Sequence, residues 1–184
     1  IEKVFRLREK LGRELTLRFD ANQGYNIAQS VQFVEQTKAA KIEILEQPTP
    51  YGEDEAMRKV VNSVEVPVMA DESIRSLNDV FRLSKHDSSD MINIKIMKVG
   101  GITEAQHINS VAKAAGMEVM VGCLDECALG IAAGLHFALS RPNVEYADLD
   151  GHLDFTNDPF SGLFTIENGW IAPTEETGLG KIDL

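Results

Sequence analysis

Four short segments carry side chains able to do acid–base or metal chemistry: Asp20-Ala21-Asn22, Glu46-Gln47-Pro48, Asp71-Glu72-Ser73 and Ile94-Lys95-Ile96. Each closes an apolar run and opens a polar loop, and the steps from Asp20 to Glu46, Asp71 and Lys95 are 26, 25 and 24 residues. Such a step accommodates a strand, a loop, a helix and a second loop. The pattern therefore predicts three carboxylates and a lysine gathered on one rim, at the carboxyl ends of parallel strands. Carboxylates gathered there, with positions left for water and substrate oxygens, suit a hard cation such as Mg²⁺, and a lysine beside that cation can move a proton.

Any one of these acids could be an ordinary helix cap or turn residue; three of them at one spacing favour a shared site. Glu46 is the most informative, because it ends the run 42–45, interrupted only at Glu43, and Pro48 predicts an extended exit at Gln47. Lys95 sits inside the apolar run 92–97, where burying an ammonium is costly unless anions pair with it. Its side chain either snorkels to the rim or acts as a base whose pKa is lowered by partial burial and the nearby cation. Lys98, followed by Gly100-Gly101, reads as structural or solvated.

The elements that must position these groups alternate. Strands are predicted at 15–20, 42–46, 66–70, 91–96, 118–121 and 144–147, each short and rich in Val, Ile, Leu or Met. Helices are predicted at 27–39, 53–61, 77–84, 103–115 and 127–139, with Thr103 as a cap and Gly116 as a stop, and residues 1–8 read as part of an amphipathic helix. Alternation of this kind implies an α/β fold with a parallel sheet and right-handed crossovers. An open doubly wound sheet collects its functional residues at one switch point, whereas here at least five successive strand ends carry a carboxylate, amide or lysine. That favours a partial (β/α)8 barrel over residues 1–150. From Gly151 to the end, 151–184, Gly and Pro punctuate two short apolar runs, 163–166 and 170–172, which reads as a tail leaving the barrel.

With 184 residues, 43% of them hydrophobic and 26% charged, the chain can bury a real core. Its net charge of −11 and the lack of a basic patch argue against nucleic acid or an anionic membrane as partner. There is no apolar run long enough for a membrane span and no export leader at the start, so a cytoplasmic location is expected. Cys123 and Cys127, the only cysteines, are expected to be reduced thiols, and His86, His107, His136 and His152 share no ligand spacing.

Taken together, Asp-Ala-Asn, Glu-Gln-Pro, Asp-Glu-Ser and Ile-Lys-Ile-Met-Lys-Val-Gly-Gly resemble, in order and spacing, the muconate lactonizing enzyme subgroup of the enolase superfamily. The resemblance implies that Asp20, Glu46 and Asp71 ligate Mg²⁺ from the third, fourth and fifth barrel strands and that Lys95, on the sixth, is one of two acid/base lysines. Asn22 and Glu72 are expected either to orient these ligands or to pair with Lys95. The resemblance also implies a capping domain and two barrel strands preceding the chain, the second bearing the other lysine, and hence that activity requires that segment. The tail 151–184 would return toward the capping domain, and the whole would be a homo-oligomer.

At the end of the last strand, Asp148-Leu149-Asp150 resembles the dipeptide epimerases of that subgroup, since two carboxylates two residues apart can bind the α-ammonium of a dipeptide. The implied reaction is inversion of the α-carbon of the second residue through an enediolate. Asp125 and Glu126, at the end of the preceding strand, could receive a cationic side chain, cap the next helix, or both. o-Succinylbenzoate synthase, a cycloisomerase, or a non-catalytic Mg²⁺-binding domain remain alternatives.

Overall fold

In the first half of the chain the strands are short, and Asp20, Glu46 and Asp71 stand at or just past their carboxyl ends. The computed structural model describes residues 1–181, in two compact units, Ile1–Ile92 and a second that begins at Asn93. The first unit contains α1 (Glu2–Leu11), β1 (Leu17–Asp20), α2 (Ile27–Thr37), β2 (Ile42–Glu46), α3 (Asp54–Val61), β3 (Val68–Ala70), α4 (Leu77–Lys85) and the start of β4 (Met91–Lys95). Its strands pair in parallel in chain order, with Asp20 opposite Glu46, Glu46 opposite Met69, and Ala70 opposite Ile92.

Ile44, Leu45, Val68, Met69, Ala70, Met91 and Ile92 from the strands and Met57, Val60, Val80 and Leu83 from the helices are buried. Full burial of such a side chain contributes about 1.5–3 kcal/mol, so the strand centres are fixed and the polar groups at their ends inherit that rigidity. Helix α2 is set by a reciprocal cap, in which Gln29 N–H donates to Asn26 Oδ1 and Asn26 N–H donates to Gln29 Oε1.

The second unit continues with the end of β4, α5 (Ile96–Val99), α6 (Ile102–Ala114), β5 (Glu118–Gly122), α7 (Ala128–Leu139) and β6 (Val144–Ala147). β4, β5 and β6 follow in that order. Two expectations need correcting here. Ile96 begins a helical turn rather than ending a strand, and Gly101, not Thr103, precedes α6. The reason is common to both: Gly100 and Gly101, at φ 95° and 117°, turn the chain after one short helix, and an apolar run such as Ile94-Lys95-Ile96 fits a strand or a buried turn equally well. Gly116, at φ 73°, does follow the end of α6.

Of the stretch 151–184, residues 182–184 lie outside the described residues. The rest folds with the second unit: β7 (Phe164–Glu167) and β8 (Trp170–Pro173) form an antiparallel hairpin, and β8 packs against α7. Its two-residue turn is Asn168-Gly169, both at positive φ (52° and 82°), the combination favoured by tight hairpins. Among the described residues no helix is long and apolar enough to cross a membrane.

Candidate metal centre and strand-end site

In the first unit, the register that sets Asp20 opposite Glu46 also places Asp71 one residue past the end of β3. Carboxylate oxygens of Asp20, Glu46 and Asp71 lie within 4.8 Å of one another. Asp71 is 3% and Glu46 9% exposed, whereas Asp20 is open to solvent. Three acids so close repel one another unless a cation or protons intervene, and an all-oxygen donor set of this kind fits a hard divalent ion.

Neighbouring groups aim each acid. Both oxygens of Asp20 accept from Asn22, one from its backbone N–H (2.8 Å) and one from its side-chain amide (2.7 Å), with Asn22 at φ 45°. The loop after β1 is laced to the segment after β2: Ala21, Gln23 and Tyr25 N–H donate to the carbonyls of Glu46, Gln47 and Pro48.

Gln47 is the hub. It is wholly buried, and its Oε1 accepts from Asp71 N–H (2.9 Å) and Ser73 N–H (3.1 Å) while its Nε2 donates to Thr49 O (2.8 Å) and Ser73 Oγ (2.9 Å). Its backbone N–H donates to Met69 O and its carbonyl accepts from Gln23 N–H. Pinned on all sides, Gln47 adopts φ 31°, not the extended exit that Pro48 suggested, and such strain persists only where the surroundings impose it. Glu72 stands beside this hub, its Oε1 accepting from Gln23 Nε2 at 3.0 Å.

Gln47→Ala would leave the Asp71 and Ser73 N–H groups buried without acceptors. We expect a loss of about 3 kcal/mol in urea unfolding and a fall in divalent-cation affinity of roughly 10–100-fold by calorimetric titration. Unchanged cation affinity would show that Gln47 holds only the fold.

In the second unit, Lys95 is the last residue of β4, half-buried after four buried residues, and leads directly into α5. The ends of β5 and β6 are locked together: Asp148 N–H donates to Val121 O (2.9 Å), and Gly151 N–H donates to Cys123 Sγ (3.3 Å). The Cys123 thiol also faces Asp150 Oδ1 at 3.9 Å. Burial pushes the Cys123 thiol pKa up, and the charges of Asp148 and Asp150 add to it. A side chain at Gly151 would collide with Leu124 O, so the close approach of these two loops needs glycine there. Asp148 and Asp150 are exposed on either side of Leu149, which is buried and packs against Gly134.

Asp125 and Glu126 part company. Asp125 is exposed, whereas Glu126 is 7% exposed, accepts from Leu124 N–H (3.1 Å) and lies against Gly130 in the first turn of α7. Neither caps α7. Instead Ala128 N–H donates to Asp158 Oδ2 at 2.6 Å, an acceptor 30 residues further along.

Burial pushes the Glu126 carboxyl pKa up. Between the ordinary carboxylate value and the raised one, the folded chain keeps a proton that the unfolded chain has released, so folding stability contributed here is lost as pH rises through that window. Melting temperatures recorded from about pH 4 to 7 should therefore fall less steeply for Glu126→Gln than for the parent. Parallel profiles would mean that Glu126 is not held in a desolvated setting.

Residues 1–181 match the family described as Enolase C-terminal domain-like. The chain belongs to this family. It is 38% identical over 184 residues to the L-Ala-D/L-Glu epimerase of Bacillus subtilis, covering 99% of this chain and 50% of that protein. It is 36% identical over 182 residues to the L-Lys-D/L-Arg epimerase of Methylococcus capsulatus, covering 98% of this chain and 51% of that protein. The crystal structure of the dipeptide epimerase from Methylococcus capsulatus complexed with Mg and the dipeptide L-Arg-D-Lys superposes with a TM-score of 0.94 at 36% identity, over 99% of this chain and 52% of that one. The chain thus spans about half the length of the curated relatives it matches. The α/β alternation read from the sequence is the partial (β/α)8 barrel of the enolase C-terminal domain-like family.

Within this enolase-like domain the sequence had pointed to Asp20, Glu46 and Asp71, and the fold of the first unit brings them together, with Asn22 on Asp20 and Glu72 beside Gln47. In the second unit it places Asp148 and Asp150 at one strand end, Asp125 in solvent and Glu126 turned inward. Two residues escaped the sequence reading. Gln47 was seen only as a chain exit, although a buried amide between Glu46 and Pro48 was a signal, and Asp158 gave no local signal at all.

Proposed function

We propose that the protein carrying this chain epimerises dipeptides at the α-carbon of the second residue, in a Mg²⁺-dependent reaction. The observation that carries this reading is the convergence of Asp20, Glu46 and Asp71 within 4.8 Å on three adjacent strand ends, and the epimerase relatives give it its reaction class. In this reading Asp20, Glu46 and Asp71 hold Mg²⁺, with Asn22, Gln47 and Glu72 keeping the acids aimed. Held there, Mg²⁺ would supply positive charge that offsets the negative charge left on the substrate carboxylate by proton removal. Lys95, half-buried at the end of an apolar strand, moves the α-proton on one face. A second proton carrier, on the segment that the relatives possess beyond the matched span, serves the opposite face.

Asp148 and Asp150 bind the α-ammonium of the substrate. Of the two acids at the end of β5, Asp125 is the one offered to a cationic side chain, because Glu126 is turned into the fold. Residues 1–150 serve as the partial barrel and 151–184 as the tail toward the capping domain, in a cytoplasmic homo-oligomer.

The test is mass spectrometry in D₂O with Mg²⁺ and a pooled library of L,L-dipeptides, including Lys and Arg at the second position, on the protein carrying this chain. Deuterium entering the second residue with inversion supports the reading, and the fastest substrates test the role of Asp125. Bound Mg²⁺ with no deuterium in any dipeptide would overturn it in favour of a lyase, a cycloisomerase or a binding domain.

A further inference from the structure

At the amino end of β6, away from the strand ends that carry the candidate site, the second unit has an open cleft of about 460 Å³ lined by Asn109, Ser110, Lys113, Arg141 and Asn143. In a chain of net charge −11, two cations line this cleft and no acid is among the described residues that line it. Among the described residues neither Lys113 nor Arg141 forms an ion pair, and the Arg141 Nε–H is buried without an acceptor. A buried donor left unsatisfied costs about 1–3 kcal/mol, and the guanidinium spends none of its hydrogen-bonding capacity on the described residues, which leaves its cleft-facing side available to an oxyanion.

The ordinary use of cations in this position, covering the last carbonyls of a helix, does not account for them. The carbonyls of Val111, Ala112 and Lys113 at the end of α6 already accept from Ala115, Met117 and Gly116 N–H, and those of His136, Phe137 and Ala138 in α7 accept from Ser140 and Arg141 N–H. The cleft's other polar groups are held in place: Asn109 and Asn143 donate to each other's side-chain carbonyls at 3.1 and 3.0 Å. The guanidinium carbon of Arg141 stands 5.7 Å from the centre of the Phe137 ring, a contact that limits its freedom.

We propose that this cleft binds a phosphoryl group, with Arg141 donating through its planar fork, Lys113 as a point charge and Ser110 within the same wall. Two cations match a dianionic tetrahedral oxyanion better than a monoanionic carboxylate, while the Ser110 hydroxyl, which donates to Gln106 O at 2.8 Å, shapes the wall without donating to the ligand. The cleft exceeds what one phosphate fills, so a small phosphate monoester is the favoured ligand over the free ion.

The test is calorimetric titration of the protein carrying this chain with ribose 5-phosphate, inorganic phosphate, ribose and acetate at about 0.15 M salt. Saturable binding of ribose 5-phosphate is expected, tighter than inorganic phosphate, with ribose and acetate silent. Arg141→Gln should weaken it about tenfold or more and Lys113→Gln severalfold, while Mg²⁺ titration and dipeptide α-proton exchange remain at parent levels. Lys113 is an exposed helix residue, so its variant keeps the test decisive if Arg141→Gln misfolds. No saturable phosphate binding, acetate binding as well as phosphate, or affinity unchanged in the folded variants would overturn the proposal. Because the readout is binding, its failure is separable from failure of the epimerase reading.

Discussion

Lys95→Met is expected to lower α-proton exchange from dipeptides by roughly 10²–10⁴-fold, the usual contribution of a positioned acid/base group. Methionine nearly matches the length and apolar stem of lysine and removes only the amine, so the end of β4, whose preceding four residues are buried, keeps its packing. Lys95 is not among the oxygen donors that would hold Mg²⁺, so Mg²⁺ binding should be retained. The measurement is the rate of deuterium uptake in D₂O, read alongside a Mg²⁺ titration. Exchange within a few-fold of the parent would remove Lys95 from the chemistry, whereas loss of both exchange and Mg²⁺ binding would mean that the substitution had damaged the fold.

Glu46→Gln produces two effects of opposite sign. Carboxylate oxygens within 4.8 Å of one another repel, so neutralising one acid relieves part of that repulsion in the metal-free parent. Without Mg²⁺ the variant should melt higher than the parent. With Mg²⁺ the order should reverse, because the parent gains stability by mass action and the variant has lost a ligand, a larger deficit than the roughly 10–100-fold cost of losing an outer partner. Melting curves with and without Mg²⁺ decide this. A variant that melts lower in both conditions would mark Glu46 as a structural acid and would break the metal reading at its centre.

What could be read from the sequence was what depends on neighbours along the chain. Period-two and period-3.6 apolar patterns fix strands and helices locally, and an acid at the end of a buried run must face the rim. Asp20, Glu46 and Asp71 were legible for that reason. The boundary at Ile96 was not, since a short apolar run has the same composition in a strand and in a buried turn, and the glycines at 100 and 101 decide it only through their backbone angles. Gln47 could not be read as an organiser of Asp71, because its acceptor oxygen works 24 residues away. Asp125 and Glu126 look alike in sequence, and what separates them is the Leu124 N–H and the close approach of Gly130 to one of the two carboxyls. The hairpin turn Asn168-Gly169 was written plainly in the chain, and the sequence reading passed over it as part of a tail.

Asp158 also bears on how the chain becomes itself during synthesis. The first N–H of α7 is accepted by a carboxylate that follows it by 30 residues, and a ribosome adds residues at about 5–20 per second. For roughly 2–6 s after Ala128 is made, that donor has no Asp158 to meet. The loop holding Cys123, Asp125 and Glu126 is born before the group that anchors the helix behind it. Order of birth and order of completion therefore differ in this half of the molecule, and the rim around β5 acquires its final shape only once the following segment has emerged and folded back.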